Sequence, residues 1–472
     1  MSINNLPSSI ASVIQQGFLE RRFRDALTAR LGFRLIADRE PFDAGIGETL
    51  TKTRTGLLPA VTAPMSVASN TDLTSGLTPQ NYSVEQFILG IDQYSANMML
   101  NVATSKVAIA SLFMRNAYTL GEQAARSVDT IAQQALFNAY MGGNTRVTTT
   151  LGSAGTAVKV DDIRGFISTL NSKGQPVSVS SSNQVVVSIN GTGYSLIGAV
   201  ADGAAPATLP YYLAAFMSFS GTSSNTSTTP GGYSGTLTFA TNVTVADATV
   251  GNAVISSVAP AILRPALSSN QTPVATTAAI SSANCVNNGK LTIQQILAAK
   301  AQLEANNVPP SEASGLYECY ADPIHMTGLY GDPVFQSFFR GRPDSEEYRR
   351  GAIAELLGVS LRITNMNPVQ SLANVGTVRR AILCGQGALV EGVFTRTAYE
   401  AANQVDDGNL TTVVDDIAHV TREPIDALKQ VVTQTWSYIG GFVAPTDTTA
   451  NPTVLPTASN AALKRACILE SL

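Results

Sequence analysis

The side chains of this 472-residue chain that could carry chemistry are few and scattered. His325 and His419 are its two histidines, and neither has a carboxylate or cysteine at metal-ligand spacing, so they are read as locally hydrogen-bonded or packed residues, not as ligands or general bases. The acid pairs Asp161-Asp162, Asp406-Asp407 and Asp415-Asp416 are adjacent in sequence. Catalytic carboxylates must converge across a cleft, so these pairs are expected to cap helices or face solvent. Gly385-Gln386-Gly387 lacks the third glycine and the lysine of a phosphate loop and is expected to turn between strands. Asn190-Gly191-Thr192 and Asn242-Val243-Thr244 match glycosylation acceptors, which carry weight only on a secreted chain. Cys285, Cys319, Cys384 and Cys467 lie far apart without paired spacing, the pattern of free thiols in a reducing compartment. No catalytic constellation emerges and no cofactor or metal is implied. The chain is read as a non-enzyme.

The totals narrow the class further. A formal net charge of −4 supplies no basic footprint for nucleic-acid recognition. No uninterrupted apolar run of about 18 residues exists to span a membrane, and the amino terminus lacks the charged and apolar regions of a signal peptide. The expectation is a soluble, intracellularly made protein. The sharpest break in composition falls at 174–289, where the only charged side chains are Asp202, Asp247 and Arg264. Short runs such as Val185-Val186-Val187-Ser188-Ile189 between glycine and proline punctuation predict antiparallel β structure there. A surface so poor in charge is weakly protected against association and suits the inside of a larger assembly.

The elements around that region have their own signatures. Phe18, Leu19, Phe23, Ala26, Leu27 and Leu31 predict a helix over 10–31, with Arg21, Arg22, Arg24 and Arg30 around it. Glycines and prolines spread through 45–85 predict an extended hairpin or loop. Ala117, Leu120, Ala124, Val128, Ile131, Ala135 and Ala139 predict a long helix over 105–141 with Arg115, Glu122, Arg126 and Asp129 on its polar face, stopped at Met141-Gly142-Gly143-Asn144. Such a helix would span about 45–55 Å.

A short helix is expected over 161–170, capped by Asp161 or Asp162. Thr292 with Gln295 suggests a capping box and Leu291 with Ile296 a hydrophobic staple for a helix ending near Asn306. Strands are expected at Leu316–Tyr320, Val359–Ile363, Arg380–Cys384 and Val431–Val443, the last carrying Trp436. Helices are expected at Asp322–Leu329, Pro333–Phe339 and Glu346–Leu357, and a final apolar stretch at Ala461–Leu469.

Taken in order, these segments resemble the major capsid protein of tailed bacteriophages, the Hong Kong 97-type fold. The likeness is carried by Arg115-Asn116-Ala117-Tyr118-Thr119-Leu120 through Tyr140-Met141-Gly142-Gly143, by Leu291-Thr292-Ile293 through Asn307-Val308-Pro309-Pro310, and by Tyr317-Glu318-Cys319-Tyr320-Ala321-Asp322-Pro323. Gly351-Ala352-Ile353-Ala354-Glu355-Leu356-Leu357-Gly358-Val359, Thr364-Asn365-Met366-Asn367-Pro368 and Thr435-Trp436-Ser437-Tyr438 add to it. The resemblance covers about two-thirds of the chain and rests on order, with no single diagnostic motif.

It implies an α+β fold with an N-terminal arm (1–44), an extended loop (45–95), a peripheral domain with a spine helix (96–145), a β-barrel or sandwich insertion (146–289), and an axial domain with the rest of the peripheral domain (290–472). It also implies self-assembly into hexamers and pentamers of an icosahedral head around double-stranded DNA held without sequence-specific contacts. The partners would be a separate scaffolding protein, a portal and a decoration protein, with assembly in the host bacterial cytoplasm and residence in the virion. Arg21, Arg22, Arg24, Lys52 and Arg54 are the expected inter-subunit contacts, and Lys52 is the one lysine of the extended loop that a covalent crosslink could use. The alternative is a carbohydrate-binding adhesin or tail structural protein, for which Tyr194, Tyr211, Tyr212 and Tyr233 would be the aromatic platform.

Overall fold

A computed structural model describes residues 21–26, 32–42, 49–55, 84–101, 109–171, 175–207, 209, 211–312, 314–339, 355–394, 410–422, 431–445 and 464–472. Helix α1 (residues 21–26) opens it, the described part of the helix expected over 10–31. Strands β1 (Ala37–Phe42), β2 (Thr49–Thr55), β3 (Val84–Gly90) and β4 (Asp92–Asn101) lead to α2 (Ile109–Tyr140). Then come β5 (Asn144–Arg146), β6 (Gly155–Val160), β7 (Ser168–Leu170), β8 (Pro176–Ser178), β9 (Val185–Ile189), β10 (Thr192–Ala201), α3 (Tyr211–Ala214), β11 (Ser218–Phe219), β12 (Gly235–Val243) and β13 (Ala253–Ser256). The remainder is β14 (Ile262–Leu263), α4 (Ile293–Ala305), β15 (Tyr317–Ala321), α5 (Pro323–Tyr330), α6 (Pro333–Phe339), β16 (Glu355–Leu356), β17 (Val359–Ile363), β18 (Val369–Leu372) and β19 (Gly376–Cys384). Strands β20 (Leu389–Phe394), β21 (Leu410–Val414), β22 (Ile417–Arg422), β23 (Val431–Val443) and β24 (Ala466–Ser471) complete it. Two compact units result: one drawn from 1–50, 89–135 and 389–443, the other from 51–88, 136–388 and 444–472.

The first unit is a sheet in the order β1-β20-β23-β22-β21, with β4 along the opposite side of β23. The 13-residue β23 is long enough to pair with β20 near Gly440–Val443 and with β22 over Thr433–Tyr438 while β4 runs beside it for ten residues. Ala117, Leu120, Ala124 and Val128 of α2 are buried at helical spacing, the stripe the sequence predicts. Gly121 lets α1 approach closely: a Cβ there would sit 3.0 Å from the Phe23 carbonyl oxygen and 3.0 Å from the Ala26 Cβ. Phe23 and Ala26 are buried accordingly, while Arg21, Arg22 and Arg24 are exposed. Residues of the expected 1–44 arm also join this unit: Phe33 is buried, and Ala37–Phe42 pairs in parallel with Leu389–Phe394 at the sheet edge.

In the second unit, β2 and β3 pair as a two-stranded ribbon. The residues between them lie outside the described set. Strands β5-β13-β9-β10-β12-β6 form a sheet with β11 on β10, and the sheet closes on itself. Val147 bridges Val160, Thr148 N donates to Lys159 O at 3.0 Å, and Asp161 N donates to Arg146 O at 3.2 Å. Closure removes the unpaired edges that an open β sheet would expose. Inward residues such as Val158, Val185, Val187, Ile189, Leu196, Leu237 and Phe239 fill the interior.

The helix expected over 161–170 is not formed. Asp162 Oδ1 instead accepts from the Arg164 backbone N–H at 3.1 Å, Gly165 turns at φ +80°, and Ser168–Leu170 is strand β7. Ile163, Phe166 and Ile167 all reach the barrel core from this turn, so apolar spacing alone could not separate turn from helix.

A third sheet runs β14-β24-β19-β15-β17-β16, with β18 on β19. Helix α4 is capped by the Thr292 side chain, which accepts from Gln295 N at 3.3 Å. Leu291 and Ile296 are both buried in the core beneath. The capping box is only half formed, because the Gln295 amide is diverted to Leu263 O at 3.1 Å and Glu470 O at 2.9 Å. Of the helix expected over Glu346–Leu357, the described end is strand: Glu355–Leu356 pairs with β17 across Leu357 and Gly358, both at positive φ. The expected β-rich stretch 146–289 divides similarly. Its barrel strands end at Ser256, and Ile262–Leu263 belongs to this third sheet through β24.

Candidate functional site

Two buried charge clusters, one in each unit, hold most of the strong polar chemistry. In the first unit Arg34 is 1% exposed. Its guanidinium donates to Glu391 Oε1 at 2.8 Å and to the Asp415 carboxylate at 3.2 Å, and lies 5.5 Å from the centre of the Tyr438 ring. The Tyr438 hydroxyl donates to the same Glu391 oxygen at 2.8 Å. The Arg34 backbone N–H, with that of Gly32, donates to Asp129 Oδ1. Burial raises the Asp129 carboxyl above its ordinary value despite these N–H donors. Asp129 was expected on the polar face of α2; it is 1% exposed because it anchors the chain entering β1.

Asp415 and Asp416 correct a second expectation. They form the two-residue turn between β21 and β22, at φ 52° and 64°. Asp415 also bonds Arg39 at 2.8 Å. Burial pushes its carboxyl up, but the Arg39 and Arg34 charges outweigh that and hold it below the usual range. Asp406-Asp407 lies outside the described residues.

In the second unit Glu470, near the end of β24, accepts from Arg264 at 2.8 Å, from Arg380 at 3.0 Å and from the Thr277 hydroxyl at 2.8 Å. Burial would raise its carboxyl, yet the two guanidiniums lower it to about 2. The lattice continues outward. Arg264 bonds Asn144 of β5 at 3.0 Å, and Arg380 bonds Gln370, whose amide donates to Thr228 at 3.0 Å. Thr228 and Thr229 in turn donate to Asp161. Asp162 pairs with Arg164 at 2.7 Å, and Arg164 also reaches Asn138 and Pro230 O. Asp161 and Asp162 are each 3% exposed, neither capping a helix nor facing solvent: Asp161 is linked to the third sheet through Thr228 and Gln370, whereas Asp162 holds Arg164 and the Tyr233 backbone N–H beside the barrel.

All three charges of the 174–289 stretch are internally engaged. Asp202 pairs with Lys159 at 3.1 Å, Asp247 accepts from the Tyr194 hydroxyl at 2.7 Å, and Arg264 bonds Glu470.

The isolated candidates fall into the core. His325 and His419 are each 1% exposed, and burial lowers both to about 4. His419 packs on the Phe23 ring at 4.9 Å. The four cysteines are free and buried, with burial raising Cys319 and Cys467 to about 12. Such thiols are poor nucleophiles at neutral pH. Gly385-Gln386-Gly387 turns from β19 to β20 as expected. Among the described residues no three His, Cys, Asp or Glu side chains converge to hold a metal ion, and no helix is long and apolar enough to cross a membrane.

Of the expected contact residues, Arg21, Arg22 and Arg24 project from α1, and Lys52 is half-buried on β2. Arg54 turns inward, bonding Pro445 O and lying 5.9 Å from the Phe87 ring centre. Among the aromatic-platform tyrosines, Tyr194 is 8% exposed and stacks edge-on with Phe239. Tyr233 is half-buried against Phe219, so neither presents a free ring face. The side chains of Tyr211 and Tyr212 lie outside the described set.

Sequence reasoning missed Arg34, Glu391, Arg380 and Glu470. The available signal was a charge inside an apolar strand run, as in Leu389-Val390-Glu391 and Ile468-Leu469-Glu470, which calls for a buried partner.

No family model matches the chain, and no curated protein matches it. Solved structures do. The capsid of Ralstonia phage GP4 is similar at 12% identity over 92% of this chain and 87% of that one, with a TM-score of 0.46. The cyanophage Pam1 capsid asymmetric unit is similar at 10% identity over 95% and 92%, TM-score 0.45. The cyanophage P-SCSP1u capsid is similar at 10% identity over 93% and 87%, TM-score 0.44.

Proposed function

We propose that this chain is a major capsid subunit of Hong Kong 97 type, assembling as hexamers and pentamers into an icosahedral head around double-stranded DNA. One observation carries the reading: the order of elements. A paired-strand ribbon (β2, β3) precedes the 32-residue helix α2, a closed barrel follows, then a helix-covered sheet and the 13-residue β23. That order is the one the sequence resemblance implies. The deep burial of the polar side chains, which leaves no cleft with convergent reactive groups among the described residues, fits a function based on contact area instead of catalysis.

In this reading the barrel is an inserted domain. Arg21, Arg22, Arg24 and Lys52 contribute to contacts between subunits, with Arg54 holding the ribbon from within. Assembly uses a separate scaffolding protein, with a portal and a decoration protein as further partners. The modest net charge of −4 suits a container wall, since a strongly basic one would hold DNA fast through phosphate contacts. Closed shells require heterologous contacts that return on themselves.

Electron microscopy of the chain, expressed with and without the scaffolding protein, tests the proposal. Shells, tubes or rings of five and six are expected. Small discrete particles under both conditions would overturn it.

A further inference from the structure

In the second unit a cavity of about 230 Å³ opens between the start of α4 and the segment 263–273. At about 30 Å³ per water it has room for roughly seven or eight non-hydrogen atoms, the size of one leucine residue. Leu263, Pro265, Ala266 and Val286 form the apolar part of its wall, and no His, Cys, Asp or Glu lines it. Lys290 lines it and is exposed, and among the described residues its ammonium has no hydrogen bond or ion pair. Arg264 is the second cation of the lining. Three of its N–H groups are spent on Glu470, Ala275 O and Asn144, and a guanidinium has five. Glu470 balances the Arg264 charge, so Lys290 supplies the uncompensated one. Gln295, 8% exposed, adds the opposite polarity. Its Nε2 donates to Leu263 O at 3.1 Å and to Glu470 O at 2.9 Å. That fixes the amide, because a flipped side chain would set its oxygen against two carbonyl oxygens. Its Oε1 accepts from no donor among the described residues, and a buried acceptor without a donor is costly.

A free cation, a buried acceptor and an apolar wall in one residue-sized cavity match the last residue of a peptide, which offers an α-carboxylate, a backbone N–H and a side chain. We propose that this cavity binds the carboxyl-terminal residue of a partner peptide when that residue is apolar. The carboxylate pairs with Lys290 and the spare Arg264 N–H groups, the peptide N–H donates to Gln295 Oε1, and the side chain lies on Leu263, Pro265 and Val286. A free amino acid is a poorer match, because its ammonium would approach two cations. Arg264 and Gln295 both hold Glu470, so a bound terminus also braces the attachment of β24 and stabilises the second unit by mass action.

A saturation-transfer NMR titration of the purified, unassembled chain with N-acetyl-leucine tests this. N-acetyl-leucinamide, which lacks the carboxylate, and isocaproate, which lacks the N–H, are titrated beside it. N-acetyl-leucine is expected to bind with a Kd on the order of 1 mM, the amide about tenfold more weakly and isocaproate about fivefold more weakly. Lys290→Gln should weaken N-acetyl-leucine about tenfold. Ala298→Trp fills the cavity from an exposed position of α4 and should abolish binding while the circular dichroism stays that of the wild type. Equal binding of acid and amide, binding unchanged in Lys290→Gln, or binding that survives Ala298→Trp would overturn the site. Isocaproate binding as well as N-acetyl-leucine would overturn the peptide terminus as its ligand, and no binding of any of the three would remove the proposal altogether. The titration involves no shells, so each of these outcomes leaves the capsid reading standing.

Discussion

Arg264 and Glu470 stand 206 residues apart in the chain and 2.8 Å apart in space. Their pairing lets one carboxylate at the end of β24 serve the guanidiniums of both Arg264 and Arg380. Removing one member of such a buried group leaves the others uncompensated, which costs far more than the net worth of the pair. Glu470→Gln is therefore expected to destabilise the second unit by about 3–5 kcal/mol, read as a lower urea midpoint.

The acid limb of stability follows from the same carboxylate. Its folded value, about 2, lies below the ordinary value of about 4.3. The stabilisation is therefore complete above the ordinary value and is lost as pH falls through the folded one. Unfolding followed between about pH 4.5 and pH 2 should show a steeper loss in the wild type than in Glu470→Gln, which keeps only the contribution of other carboxylates such as Asp415.

His325 and His419 act in a higher window. Both are held near 4 by burial, against about 6.5 in the unfolded chain. The unfolded state takes up protons first as pH drops below about 6.5, so these histidines favour the fold above that value and weaken it progressively down to about 4. His419→Gln should flatten this part of the stability–pH curve, and a variant whose curve is unchanged would show that His419 does not set it.

In the first unit, Arg34→Met removes the buried cation from Glu391, whose side chain is fully buried, and leaves it the Tyr438 hydroxyl and the half-exposed Arg39 at 3.5 Å. A loss of about 3–5 kcal/mol is expected by denaturant titration. Arg34→Lys should recover only part of it, because an ammonium cannot present the planar fork of donors.

Close backbone approach makes Gly441 equally sensitive. A Cβ there would fall 1.8 Å from the Gly90 carbonyl oxygen, so Gly441→Ala is expected to cost at least about 1–3 kcal/mol. Gly191 at φ +90° has open space around it, and Gly191→Ala should cost about 1 kcal/mol from backbone strain alone.

The barrel's contribution to assembly can be isolated. Deleting 174–289 would also strip Arg264 from Glu470 and remove β14. Replacing 147–256 with a short linker spares both, and is expected to reduce shell yield or subunit solubility, measured by sedimentation of the expressed protein. Wild-type shell yield would assign the barrel a role outside assembly.

Elements with strong local signals were legible in the chain. The stripe from Ala117 to Ala135 predicted α2, and β17, α6 and β23 lie where their patterns put them. Asn190-Gly191 carries a further signal, a two-residue hairpin turn with both residues at positive φ. The turn at Asp162–Gly165 shares its apolar spacing with a helix, because Ile163, Phe166 and Ile167 are buried either way.

What the sequence determined by itself was the kind and order of elements, since periodicity, caps and turn residues act over a few positions. The partners of the buried charges were decided by tertiary structure alone. Asp129 reads as a surface residue of an amphipathic helix until the backbone at Gly32 and Arg34 arrives to be bonded. Glu470 shows in the sequence only a charge at the end of an apolar run, and its partners are undefined until β24 slots between β14 and β19 and brings it to Arg264 and Arg380. A charge tolerates burial only where opposite charge and donors converge on it, and that convergence joins segments hundreds of residues apart, beyond the reach of any local pattern.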